Sequence, residues 1–302
     1  MSTESAPLPG PQAVAILARG LKRSYRSGFL LARRAVLRGV DLDLAAGAVG
    51  GLIGPNGSGK STLLRLLAGV DPADGGELSV LGGDPRTAAV RTRIGYATEG
   101  CPFPDELPAR VVLELLLRMR GLHGGEARSR ALRLLDRAGL GADAKRSLGQ
   151  FSSGMRRRFV LAQAFATDPH LVLLDEPSVG LDAEGAEVLE QWLDEAHARG
   201  AAALICSHRP DDLFGRCERV SVMIEGRVVL NESARALAER ATRVELEIEG
   251  AGSQDLDAAR RELEARGAVV RATRPAAAAL DALYRSLGST GRGAPAGVER
   301  DG

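Results

Sequence analysis

Aromatic residues make up 3% of this chain of 302 residues, and Trp192 is its one tryptophan. That is too few for a surface that reads nucleic acid by stacking bases on successive rings. Cysteine is equally scarce. Cys101, Cys206 and Cys217 are odd in number, widely spaced and free of any C-x-x-C. The pattern argues against a disulfide framework or a zinc site and suits small reduced core residues in a cytoplasmic setting. An excess of one charge is missing too. The net charge of +1 sets up no field that would recruit DNA or RNA, so no nucleic-acid partner is expected. No apolar run approaches the roughly 18 residues of a membrane span. VVLELLLRM (111–119) is short and charged, so the chain is not expected to cross a bilayer. The opening MSTESAPLPGPQ has neither a basic nor an apolar signal region and reads as a disordered lead over 1–12.

Lysine is as rare as cysteine: Lys22, Lys60 and Lys145 stand among many arginines. One of the three falls inside GPNGSGKST (54–62), a full match to G-x-x-x-x-G-K-[ST]. Gly54, Gly57 and Gly59 let the backbone turn tightly and aim successive N–H groups into one concavity. With Pro55, Asn56 and Ser58 they form a phosphate cradle at the start of a helix. Lys60 can reach the β- and γ-phosphates, and a compact ammonium fits between them where a planar guanidinium does not. The Ser61 hydroxyl can ligate Mg²⁺, and Thr62 closes the motif. AVGGLI (48–53) before it suits a buried strand, and STLLRLLAGV (61–70) after it has helical apolar spacing.

The rest of the chain alternates in the same manner. Residues 13–24 and 38–45 read as strands framing a loop at 25–37. ELSVLGG (77–83) and IGYA (94–97) are further short strands. Residues 105–166 look helical, LVLLDEP (171–177) is a buried strand, AEVLEQWLDEAHARG is helical and AAALICSH is a strand. VSVMIEGRVVL (220–230) reads as a hairpin around Glu225-Gly226. A small β-α-β-α appendage is expected over 243–287, followed by a Gly-rich disordered tail at 288–302.

At the end of the LVLLDEP strand stand Asp175 and Glu176. The first can hold Mg²⁺, and the second can polarise a water attacking a γ-phosphorus. Two acidic residues opening a helix are common in any protein. Their company with an intact phosphate loop favours the chemical reading.

Between these motifs lies QFSSGMRRR (150–158). After them come S-x-GLD (178–182) and SH (207–208). The ordered set resembles the ATP-binding cassette of ABC transporters over roughly residues 14–232. The resemblance implies an α/β P-loop NTPase fold over 13–242, with an antiparallel β portion and an inserted helical subdomain at about 98–165. It implies ATP and Mg²⁺ as ligands. It places Ser152, Ser153, Gly154 and Met155 in the signature stretch that reaches a second subunit's γ-phosphate. That stretch departs from the usual LSGGQ and keeps a serine and a glycine. Asp182 matches the aspartate that communicates across that dimer, His208 the switch histidine on the γ-phosphate, and Tyr25 the aromatic that stacks on adenine. Glu99 stands where the family has a glutamine and is expected as a further Mg²⁺ ligand, since its carboxylate remains a hard oxygen donor. Arg156–Arg158 read as one solvated face with local ion pairs.

The implied function is ATP hydrolysis driving an exporter. The partners are a separate transmembrane permease and a second ATPase subunit, identical or not, and the location is the cytoplasmic face of the membrane. The rival is a non-transport cassette acting on DNA or ribosomes. The rival is disfavoured by the absence of a heptad array between the phosphate loop and the signature, of a second cassette, and of basic tracts.

Overall fold

The computed structural model describes residues 14–27, 32–98, 103–209, 213 and 215–240. The chain divides into two units, Met1–Arg235 and Ala236–Gly302, and the site belongs to the first. The lead at 1–12, the appendage at 243–287 and the tail at 288–302 lie outside the described residues.

Two sheets form the frame. The smaller is antiparallel and has three strands in the order β2-β1-β4, where β1 is Val14–Ser27, β2 is Ala32–Ala45 and β4 is Gly75–Val80. The larger has six strands in the order β5-β6-β7-β3-β8-β9. These are β3 (Val49–Ile53), β5 (Ile94–Ala97), β6 (Leu171–Asp175), β7 (Ala202–Ser207), β8 (Arg219–Ile224) and β9 (Arg227–Ser233). The first five in that order run parallel, and β9 is antiparallel to β8. Every residue of β3, β6 and β7 is buried. Parallel strands covered on both faces read as continuous apolar runs, which is why the sequence shows them plainly.

The loop expected over 25–37 is largely strand. Ser24, Tyr25 and Arg26 lie opposite Ala35, Arg34 and Arg33. This polar stretch of hairpin is held by its backbone ladder rather than by burial of one face, so it leaves no period-2 pattern in the sequence.

Helix α1 (Lys60–Leu67) is shared between the two sheets. Leu63, Leu64, Leu66 and Leu67 join one core with Ile16, Leu21 and Leu37 of the small sheet and Leu52, Leu173 and Leu204 of the large one. Each such leucine, fully buried, contributes about 1.5–3 kcal/mol. A four-residue helix, α2 (Ala88–Arg91), had no sequence signal. Within the stretch expected to be helical lie α3 (Ala109–Met119), α4 (Gly124–Arg137) and α5 (Ser153–Ala164). They pack on one another, and turns with a 3-10 segment at Leu148–Gln150 separate α4 from α5. Helix α6 (Ala183–Ala198) follows β6, and α7 (Ala234–Arg240) ends the described chain.

The turn between β8 and β9 falls at Glu225-Gly226, as expected. The Gly226 N–H donates to the Ser58 carbonyl at 2.9 Å, and the Gly226 carbonyl accepts from the Arg38 N–H at 2.8 Å. A Cβ on Gly226 would run into the Val36 carbonyl oxygen, so only glycine lets these three segments approach.

Candidate functional site

The loop Gly54–Gly59 links the end of β3 to the start of α1. Gly57 and Gly59 have φ of 81° and 110°, the left-handed region that glycine enters without strain. The first N–H groups of α1 have no partners inside the helix and carry its positive end, so they face an anion well. Lys60 opens that helix and is 6% exposed. Its Nζ donates to the Gly54 carbonyl at 2.7 Å and stands 3.6 Å from Glu176 Oε1.

Strand β6 brings Asp175 and Glu176 to the same place. Asp175 is 3% exposed, and burial raises its pKa, opposed by a hydrogen bond from the Ser61 hydroxyl. Its Oδ1 is buried with no hydrogen-bond partner among the described residues. An orphaned carboxylate oxygen beside a serine hydroxyl is a hard-oxygen donor pair of the kind Mg²⁺ takes from a protein, so the residues present fit that ion.

Glu176 sits at φ 49°, an uncommon conformation for a residue with a side chain. Its N–H donates to the Cys206 carbonyl at 2.8 Å. Its Oε2 accepts from the Ser207 hydroxyl at 3.3 Å and lies 2.8 Å from His208 Nδ1. The carboxylate partner assigns the proton to Nδ1. The site thus joins the ends of β3, β6 and β7, where the parallel register sets Ile53 beside Ser207 and Asp175 beside Cys206.

Sequence reasoning missed what supports this cluster. Arg157 and Arg158 are each 7% exposed, so the expected solvated face for Arg156–Arg158 holds for neither. Arg157 donates to the carbonyls of Asp175 at 2.7 Å, Pro177 at 3.3 Å and Thr98 at 3.3 Å, and also to that of Glu176. It braces the backbone on which both carboxylates stand. Arg158 donates to Glu184 at 2.9 Å and to the Ala138 carbonyl. Only Arg156 keeps to a surface pair, with Asp105. The signal was present. FVLAQAFA (159–166) leaves no polar stripe, and a helix that is apolar all round is a buried helix whose arginines must find partners inside. Gln163 of the same helix donates to the Tyr96 carbonyl at 2.6 Å.

The signature stretch gathers elsewhere. Ser152 caps α5 by accepting from the Met155 N–H at 3.2 Å, and Ser153 is the first residue of that helix. A Cβ on Gly154 would lie 3.6 Å from the Gly180 carbonyl oxygen and 3.8 Å from Asp182, which in turn caps α6 through the Gly185 N–H at 2.8 Å. Signature and S-x-GLD thus form one surface of this chain, apart from the Lys60–Glu176 cluster. Tyr25 lies within β1, its hydroxyl 2.6 Å from Asp71 Oδ2. Glu99 lies outside the described residues.

Among known proteins, the family described as ABC transporter matches residues 37–179. The daunorubicin resistance ATP-binding protein DrrA3 of Streptomyces coeruleorubidus is 36% identical over 203 residues, which is 67% of this chain and 64% of that protein. The chain thus spans just under two thirds of that relative. Nod factor export ATP-binding protein I of Rhizobium sp. (strain N33) is 32% identical over 247 residues, 80% of this chain and 79% of that one. A solved dimeric ATP-binding cassette in a post-hydrolysis state, bound to ADP and Pi, superposes with a TM-score of 0.67 at 26% identity. It covers 73% of this chain and 99% of its own.

Proposed function

The chain belongs to the ABC transporter family, and from that premise we propose that it binds and hydrolyses Mg-ATP and drives export through a transmembrane permease on another chain. One observation carries the chemical half: Lys60, Ser61, Asp175, Glu176 and His208 meet in one cluster at the mouth of three adjacent strands. Their roles follow from their chemistry. Loop N–H groups and Lys60 bind the β- and γ-phosphates. Lys60 faces Glu176 at 3.6 Å, and a bound γ-phosphate would compete for that ammonium. Ser61 and Asp175 hold Mg²⁺, which when bound offsets phosphate charge. Glu176 takes the proton of the attacking water, while His208 and Ser207 fix its carboxylate. Tyr25 offers a ring face to the adenine. Ser152 and Gly154, on the surface shared with Asp182, serve the γ-phosphate of a second subunit.

Export rests on the relatives whose names state drug resistance or Nod factor export. Among the described residues no helix is long and apolar enough to cross a membrane, so the proposed conduit is another protein. Two measurements test the reading. Purified protein should release phosphate from ATP in the presence of Mg²⁺, and Lys60→Ala should abolish that release. Tagged protein taken from native membranes in mild detergent should bring a transmembrane chain with it. Phosphate release that survives Lys60→Ala would sink the catalytic assignment. Recovery without any membrane protein would sink the transport assignment.

A further inference from the structure

We propose that Arg65, Asp71 and Arg23 are positioning residues that lock the Tyr25 ring, so that a purine base stacks on a prefixed aromatic face. The proposal rests on the reading of Tyr25 as the base platform. Asp71 stands at the centre. It follows α1 in the chain, and its N–H donates to the Arg65 carbonyl at 3.2 Å. Arg65, in the last turn of α1, returns two side-chain bonds, Nε to Asp71 Oδ2 at 2.9 Å and Nη2 to Oδ1 at 3.1 Å. This fork fixes the carboxylate in plane and position. The same Oδ2 accepts the Tyr25 hydroxyl at 2.6 Å. The edge of the ring is therefore tied to the helix whose other end carries Lys60 and Ser61.

One face of the ring is fixed as well. The Arg23 guanidinium carbon sits 4.7 Å from the ring centroid. Arg23 is itself held by Asp74, to which it donates at 3.0 Å. Asp74 is held in turn by the Ser24 N–H at 2.8 Å and the Ser24 hydroxyl at 2.6 Å. With the edge and one face of the ring held by described residues, its second face is assigned to the base. A ring already fixed loses less freedom when the base arrives, so the contact yields more affinity than a free tyrosine would give. The Arg65 hydrogen bonds hold the Asp71 pKa down to about 2, so its carboxylate is ionised at neutral pH.

The test uses two ligands that differ by the base. Mg-ATP carries adenine, whereas Mg-tripolyphosphate has the phosphate chain alone. Titration calorimetry on the full chain compares wild type with Tyr25→Phe, Asp71→Ala, Arg65→Met and Tyr25→Ala. Loss of one net hydrogen bond corresponds to roughly 2- to 10-fold, so Tyr25→Phe and Asp71→Ala should each weaken ATP by that factor. Tyr25→Ala should weaken it by at least as much. Tripolyphosphate affinity should not move, and in turnover the loss should fall on KM more than on kcat. If only Tyr25→Ala weakens ATP, the lock is refuted and the platform stands. If Tyr25→Ala also leaves ATP unchanged, the platform itself is refuted. If Asp71→Ala or Arg65→Met weakens both ligands equally, the network supports α1 rather than the ring, and the proposal fails. Tyr25→Phe removes one oxygen from a half-exposed site and keeps the comparison valid should Asp71→Ala fold poorly.

Discussion

Removing Arg157 tests whether the site depends on a brace that touches no phosphate. The Arg157 side chain is buried and donates to the carbonyls of Thr98, Asp175, Glu176 and Pro177. Two of these bonds are long. The two to Asp175 and Glu176 are charge-assisted, and each is worth about 1.5–3 kcal/mol. Arg157→Ala removes both bonds from a buried setting, where the Glu176 carbonyl keeps only the Val179 N–H at 3.2 Å, so the expected loss is about 3–6 kcal/mol. For a unit of this size each kcal/mol lowers Tm by about 2–4 °C, which puts the shift on the order of 10 °C. Arg157→Lys keeps the charge but cannot span the carbonyls, and should fall between. The brace also holds Glu176 at φ 49°, a strain of about 1–3 kcal/mol that glycine does not feel. In a Glu176→Gly background there is no strain to release, so Arg157→Ala should cost about 1–3 kcal/mol more than it does in the wild type. Scanning calorimetry on the four proteins of this cycle, without nucleotide, gives the coupling directly. A wild-type Tm for Arg157→Ala would refute the brace. Full additivity in the cycle would show that Arg157 is unrelated to the strained turn.

Glu176→Gln keeps size and polarity but removes the proton acceptor, so phosphate release should fall by ~10²–10⁴-fold while ATP binding survives in calorimetry. Asp175→Asn should lose turnover yet raise the Tm of the nucleotide-free protein. Because the folded-state pKa is raised, the ionised carboxylate costs stability at neutral pH, and that penalty disappears as pH falls below it. The pH dependence tied to Asp71 has the opposite sign. Its pKa is lowered from 3.8 to about 2, so its contribution is complete above 3.8 and is lost as pH falls through 2. Tyr25→Phe and wild type should keep a constant Tm difference from pH 8 to pH 4. Cys217 is pushed up to about 12 and Cys206 well above its usual value, both by burial. At pH 8 roughly one Cys217 in 10⁴ is thiolate, so peptide mapping after thiol labelling should find both modified in urea and neither in the native protein.

The buried half of this molecule is legible in the sequence, and the exposed half is not. AVGGLI, LVLLDEP and AAALICSH announce their strands because both faces are covered. The glycines and lysine of 54–60 announce the loop because its chemistry tolerates few substitutes. The hairpin around Tyr25 is hidden, since a solvated ladder imposes no alternation. Arg157 is hidden for another reason. Its partners are backbone carbonyls, which every residue has, so nothing at 175–177 advertises the need for a donor. The tie from Tyr25 to Asp71 joins residues 46 positions apart through two side chains that would be unremarkable alone.

Gly226 has a mechanical consequence. Its two backbone hydrogen bonds sew the phosphate loop, through Ser58, and strand β2, through Arg38, to the turn that ends β8. Sliding the small sheet across the large one would tear the Arg38 bond, while the Ser58 bond holds the phosphate loop to its own sheet. The two sheets must therefore act as a single stator around the phosphates. Helix α5 is tied to the floor of the nucleotide site as well, through Arg157 and Gln163, so the same rigid frame reaches the signature at the start of that helix.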